Sequence, residues 1–328
     1  MAKTLSTEQL IDGIRSNNTR LLGKAISLVE SKKPEHRVQA EELLKQLMPF
    51  TGKSVRVGIT GVPGAGKSTF IESFGKLAIE KGNKVAVLAI DPSSSLNHGS
   101  ILGDKTRMEE LAKDPNAFIR PSPSGGFLGG IANTTFETML ICEAAGYDYI
   151  LIETVGVGQS EVMVADITDV FLFLKVSGTG DELQGIKRGI MEMVDIIFIN
   201  KADEDNNLAA KNAKLELMRA LHFITHKNKI WKVPVILGSA LKKKGLEECY
   251  ERIEDYILQK HKDNSFEEER HQQAEKRFDY WVKELILSKT RSSKELEDAY
   301  NEHKKNASEL AVNPISEAKD FVKKLFNE

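Results

Sequence analysis

Eight consecutive residues, Gly61-Val62-Pro63-Gly64-Ala65-Gly66-Lys67-Ser68, constrain this chain more than any other stretch. An apolar run over residues 55–60 precedes them, and a helical pattern over residues 68–80 follows. Strand, glycine-rich turn and helix in that order are the context a phosphate-binding loop requires. With no Cβ in the way, backbone N–H groups turn inward and form an anion-binding nest at a helix N-terminus. Lys67 can then reach the β- and γ-phosphates, and the Ser68 hydroxyl offers one position on Mg²⁺, with Thr69 next in the helix. The stretch predicts a bound nucleoside triphosphate.

Composition narrows the class. A chain of 328 residues has the length of about two domains, or of one large α/β domain with additions. A formal net charge of −2 gives no general reason to expect a nucleic-acid or membrane partner. The two cysteines, Cys142 and Cys249, make no CxxC pair, so neither a zinc site nor a disulfide framework is indicated, and a reducing compartment fits. Glu8, Asp12 and Arg15 break up the N-terminal region, which has no secretory apolar core and is not acid-free like a transit peptide. No apolar run approaches the ~18–20 residues needed to span a bilayer. The expected location is cytoplasmic.

Three segments follow from the patterning: a helical arm over 1–50, a nucleotide-binding domain over 51–255 and a helical extension over 256–328. In the arm, Ser6-Thr7-Glu8-Gln9 has capping-box spacing. Leu10, Ile11 and Ile14, then Leu21, Leu22, Ala25, Ile26 and Val29, recur at helical intervals. The central segment alternates helices with short runs at 55–60, 85–90, 117–120, 149–152, 170–176, 196–199 and 233–237. Runs apolar on both faces belong to strands covered on either side, which predicts an α/β fold with a doubly wound, mostly parallel sheet. Ligand chemistry is expected at the C-terminal strand ends. In the extension, Phe278, Trp281, Val282, Leu285 and Ile286 form an apolar helical stripe in a charged background. A segment so charged builds little core of its own, so the stripe reads as a subunit interface.

The strand ends carry acids. Asp91 closes the second run, expected beside the phosphate-loop strand, and is placed for the metal directly or through water. The polar loop after it supplies a second metal candidate, Asp104, and has the length of a switch that orders around the γ-phosphate. Tyr149-Ile150-Leu151-Ile152-Glu153-Thr154-Val155-Gly156 is an apolar strand ending in an acid, with glycine three positions on. Glu153 there helps hold Mg²⁺ and the Gly156 N–H can meet the γ-phosphate; with Lys67 these are the candidate catalytic residues. Val157 follows, where Ras-like GTPases carry the glutamine that orients the attacking water. Valine cannot do this. Gln159 lies close by in the chain, and slow intrinsic hydrolysis that depends on a rearranged loop or a partner is the expectation.

Asn200-Lys201-Ala202-Asp203 ends the sixth run. The Asp203 carboxylate can accept two hydrogen bonds from guanine N1–H and its amine, which adenine cannot offer, so GTP and GDP are the expected ligands. Asn200 and Lys201 brace the loop, and Gly238-Ser239-Ala240-Leu241 completes the base pocket, with a backbone N–H there for guanine O6. The glycine-rich loop over 177–188 reads as a further switch, with Asp181, Gln184 and Lys187. His222 and His226 sit at i, i+4 with no acid between them, which makes packed or solvated histidines the better reading than a metal site.

Together, Ile90-Asp91-Pro92-Ser93-Ser94, Gly99-Ser100-Ile101-Leu102-Gly103-Asp104-Lys105, Ile119-Arg120-Pro121-Ser122-Pro123, Glu153-Thr154-Val155-Gly156-Val157-Gly158-Gln159-Ser160-Glu161 and Asp181-Glu182-Leu183-Gln184-Gly185-Ile186-Lys187 resemble the MeaB/ArgK/MMAA family of P-loop GTPases. That resemblance covers nearly the whole chain. It implies a GTPase that chaperones an adenosylcobalamin-dependent acyl-CoA mutase of the methylmalonyl-CoA mutase type, gating cobalamin delivery and protecting or reactivating the enzyme. It also implies a homodimer held by the C-terminal extension, metal positions at Ser68, Asp91, Asp104 and Glu153, and a cobalamin adenosyltransferase as a further partner. Two departures stand out: Leu96-Asn97-His98 replaces the commoner Phe-Thr-Gly, and Gly126-Phe127 sits where Gly-Thr or Ser-Leu is usual. Both fall in loops near nucleotide or partner. The chain has no Asp-x-His-x-x-Gly cobalamin motif, so that cofactor belongs to the partner. A transport-system kinase, an older label of similar proteins, would need ATP and an acceptor residue. A nickel-insertion GTPase would need a His- or Cys-rich metal cluster.

Overall fold

A computed structural model of the chain describes residues 5–31, 33–91, 108–123, 128–154, 160–176, 188–203, 206–224, 230–290, 293–309 and 312–326. By contact it divides into two compact units, Met1–Phe266 and Glu267–Glu328.

The first unit is built on seven strands: β1 Val55–Gly61, β2 Val85–Asp91, β3 Ala117–Pro123, β4 Tyr149–Glu153, β5 Val170–Val176, β6 Ile196–Asn200 and β7 Val235–Leu237. Every pairing is parallel and the order is β3-β2-β4-β1-β5-β6-β7. Chain reversal beside β1 creates a crevice at the C-terminal strand ends, where such sheets bind ligands. One expectation is corrected by this order. Asp91 does not end a neighbour of the phosphate-loop strand, because β4 lies between β2 and β1. The acid that closes the adjacent strand is Glu153, in register with Ile59.

Strand residues alternate between two cores. Phe171 and Phe173 of β5 face one, and Val170, Leu172 and Leu174 face the other. On the second side lie α4 Lys67–Glu80 and α9 Leu246–Lys262. On the first lie α5 Leu128–Ala144, α6 Ser160–Ala165, α7 Arg188–Met193, α8 Asn207–His222 and the N-terminal arm, α1 Thr7–Arg15, α2 Thr19–Val29 and α3 Pro34–Leu47. The capping box predicted at Ser6 forms, with Gln9 N–H donating to Ser6 Oγ at 3.3 Å and Ser6 N–H to Gln9 Oε1 at 3.1 Å. At the N-terminal strand ends, buried Arg56 on β1 pairs with Glu143 of α5 at 2.8 Å.

In the second unit, α10 Ser265–Lys289 leads to α11 Lys294–Asn306 and α12 Pro314–Phe326. Its own core is small: Ala299, Phe321 and Leu325, with Leu296 against them. Phe278, Val282, Leu285 and Ile286 on α10 are exposed. Among the described residues no helix is long and apolar enough to cross a membrane.

Candidate functional site

The site is assembled where β1, β4 and β6 end together. β1 delivers the chain to Gly61, where a Cβ would come within 2.3 Å of the Leu174 carbonyl oxygen. The loop then tightens through Ala65 N–H to Val62 O at 3.1 Å. Gly66 takes φ +85°, and a Cβ there would meet Asn200 Nδ2 at 2.7 Å. Glycine is therefore required at Gly66 for its backbone and for its neighbour alike. α4 begins at the next residue with no side-chain cap, so its first N–H groups face the loop as an anion site.

Lys67 is buried at 8% exposure, and its Nζ donates to Gly61 O at 2.9 Å and to Val62 O at 3.4 Å. Burial pushes its pKa down, while the carboxylates of Glu153 and, after it, Glu161 hold it up. The Ser68 hydroxyl donates to Glu153 Oε1 at 3.3 Å. These two hard oxygen donors, one on the first turn of α4 and one at the end of β4, are a donor set that suits Mg²⁺. Among the described residues there is no cluster of three or more His, Cys, Asp or Glu that could hold a metal by itself.

The base side is tied to the phosphate side by two residues. Asn200 Nδ2 donates to Ala65 O at 2.8 Å, and its Oδ1 accepts from Ala240 N–H at 2.9 Å. Lys201, at φ +58°, sends Nζ to Gly64 O at 2.9 Å. The turn is fixed further by Ala202 N–H to Gly238 O at 2.9 Å and Asn206 N–H to Asp203 O at 2.9 Å. Within it, Asp203 Oδ1 is buried with no hydrogen-bond partner among the described residues. A buried acceptor left unpaired costs on the order of 1–3 kcal/mol, and a guanine amide edge is the kind of donor that would repay it. The expected N–H for guanine O6 is not openly presented by Ser239 or Ala240. Ser239 N–H bonds Lys244 O at 3.0 Å and Ala240 N–H is held by Asn200. The Leu241 side chain is exposed.

Asp104, Gly156, Gln159, Asp181, Gln184 and Lys187 lie outside the described residues, as does the side chain of Asp91. α8 ends at His222, and His226 is also outside them, so no shared helix face joins the two histidines in what is described. Glu161 carried no role in the sequence reading. It is 5% exposed on the first turn of α6, and its Oε2 has no hydrogen-bond partner among the described residues. It precedes Val164 by three residues on the face of α6 turned to the sheet, a placement that only the fold reveals.

Comparison with known proteins agrees with this geometry. The family profile described as "Methylmalonyl Co-A mutase-associated GTPase MeaB" matches residues 22–295. The chain belongs to the MeaB family. It is accordingly a GTP-hydrolysing P-loop protein of the MeaB/ArgK/MMAA type, binding GTP and GDP. GTPase ArgK of Escherichia coli is 48% identical over 256 residues, 78% of this chain and 77% of that protein. The mouse mitochondrial methylmalonic aciduria type A homolog is 46% identical over 259 residues, 76% of this chain and 62% of that one. A crystal structure titled LAO/AO transport system kinase matches with a TM-score of 0.78 and 34% identity, covering 99% of both chains.

Proposed function

We propose that this MeaB-family GTPase is a timer for an adenosylcobalamin-dependent acyl-CoA mutase of the methylmalonyl-CoA mutase type. In this reading GTP binding and hydrolysis gate cobalamin delivery to the mutase and protect or reactivate it. The observation that carries the proposal is the match of residues 22–295 to a family described as mutase-associated, supported by relatives named for methylmalonic aciduria. The site reading supports a guanine nucleotide: just beyond β6, Asp203 offers a buried acceptor with no hydrogen-bond partner among the described residues. Lys67 and the loop amides bind the phosphates, while Asn200 and Lys201 hold the base loop and the phosphate loop in one frame. Ser68 and Glu153 would hold Mg²⁺, with Asp91 and Asp104 as further proposed ligands, and the ion would supply charge neutralisation to the phosphates. Slow turnover of the isolated chain and a homodimer through the C-terminal helices belong to the same proposal. So does signalling through Gln159, Asp181, Gln184 and Lys187, with Gly156 sensing the γ-phosphate.

The test is GTP turnover by the purified chain, alone and with each cobalamin-dependent mutase of the source organism. A severalfold rise with one of them is expected. No rise with any would overturn the timer reading while leaving the GTPase intact. The transport-system kinase title of a relative matched over 99% of both chains motivates a second reading. It requires ATP-dependent phosphorylation of a binding protein, and preference for GTP without phosphoryl transfer to such a protein would exclude it.

A further inference from the structure

Glu161 is a buried carboxylate to which the proposed nucleotide and metal site assigns no role. Its Oε2 has no hydrogen-bond partner among the described residues. An unpaired buried carboxylate oxygen opposes folding, and such groups persist where a partner arrives with the reaction. The packing shows where it sits. A Cβ on Gly58 of β1 would come within 2.8 Å of Val164 Cγ1, so α6 lies directly against the phosphate-loop strand. A helix joining parallel strands β4 and β5 runs back against their direction. Glu161 is therefore one turn, about 4.5 Å, nearer the C-terminal end of β1 than Val164, on the same helix face. That end is Gly61, and Lys67 lies close enough to feel the Glu161 charge.

We propose that Glu161 positions the water that attacks the γ-phosphate, its free oxygen accepting one of the water's hydrogens. The role falls to it because Val157 has no acceptor. In the step, the water oxygen bonds to the γ-phosphorus as the bond to the β–γ bridging oxygen breaks. That electron pair leaves with GDP, and the water's proton ends on the released phosphate. Glu161 keeps its charge and only fixes the direction of the water's lone pair. The proposal rests on the GTPase reading.

The experiment compares wild type with Glu161→Gln and Gln159→Ala for GTP affinity, single-turnover hydrolysis under saturating GTP, and melting temperature without nucleotide. Glu161→Gln should lower the hydrolysis rate by about 100-fold or more with GTP affinity within about threefold of wild type. Its melting temperature should stay close to that of wild type, because Oε2 makes no hydrogen bond among the described residues that the amide would lose. An unchanged rate overturns the proposal, as does a loss confined to Gln159→Ala. A parallel fall in affinity and rate makes Glu161 a counter-charge for Lys67 instead, and a lowered melting temperature makes it a structural residue. A wild-type chain that fails to hydrolyse GTP would sink the GTPase reading itself, which is a different result from wild-type turnover unaffected by Glu161→Gln.

Discussion

At the scale of single residues, this chain keeps a few polar atoms buried and waiting. Among the described residues, Asp203 Oδ1 and Glu161 Oε2 both lack hydrogen-bond partners, and both lie toward the C-terminal strand ends. Asp203 was legible from Asn200-Lys201-Ala202-Asp203 because specificity there depends on one carboxylate at a fixed offset from a strand. Glu161 was not, because its importance comes from what it fails to touch in three dimensions. Asp203→Asn should exchange guanine for xanthine preference, since an amide donates where the carboxylate accepts and xanthine offers an oxygen in place of the amine. Competition binding with GTP, XTP and ATP checks this: GTP affinity should fall by ~100-fold or more, as for a site with unpaired buried polar groups, while XTP affinity rises. Unchanged GTP affinity would remove Asp203 from the base site. The fold itself should be untouched, because among the described residues no bond to Oδ1 is lost.

At the scale of elements, short apolar runs foretold the strands within a residue or two at their ends, except that β3 runs three residues beyond the predicted 117–120. Their order could not be foretold. Nothing in the run ending at Asp91 says that β4 will insert beside β1, since strand order is decided by which helices cover which face. The polar anchors at the N-terminal strand ends were equally hidden. Glu143 of α5 binds Arg56 of β1 and also accepts from Ser54 Oγ and Gly52 N–H. Glu143→Ala leaves the Arg56 guanidinium buried without its carboxylate, which should cost about 3–5 kcal/mol. The midpoint of urea unfolding measures this, and GTP affinity should hold because the pair sits at the opposite end of β1 from Gly61.

The arm is fastened to the sheet by a second pair, Glu30 at the C-cap of α2 with Arg120 of β3 at 2.5 Å. Burial pushes the Glu30 carboxyl up, with the Arg120 bond and charge opposing. A carboxyl raised in the folded state binds protons there that the unfolded chain has already released. Its contribution is therefore fully present below the ordinary glutamate range and is lost as pH rises through the folded value. Glu30→Gln removes that dependence, so the variant should gain stability relative to wild type as pH rises from 4 to 7. If wild type gains instead, the charge of Arg120 outweighs burial.

At the scale of the whole molecule, the two units differ in how much core they own. The first has two continuous cores around a seven-stranded sheet, whereas the apolar core described in the second is Ala299, Phe321 and Leu325 with Leu296 beside them. An apolar stripe in a charged helix reads the same in sequence whether it ends up in a core or on a surface. In the single chain it is on the surface, with Phe278 68% and Leu285 60% exposed. Both project from one side of α10, seven residues apart, as knobs for a second helix do. A C₂ pair would cover this stripe with itself, since the same patch serves both subunits in an isologous interface. Phe278→Glu with Leu285→Glu should then convert a dimer to a monomer in sedimentation velocity, because four like charges would be brought together across the axis. GTP affinity should stay as it was, as Lys67 and Asp203 belong to the first unit. A wild-type chain that sediments as a monomer, or a double variant that remains dimeric, would place the interface elsewhere. If the dimer dissociates and mutase-stimulated turnover is lost with it, the timer works only as a pair; if stimulation survives, each subunit reports on its own.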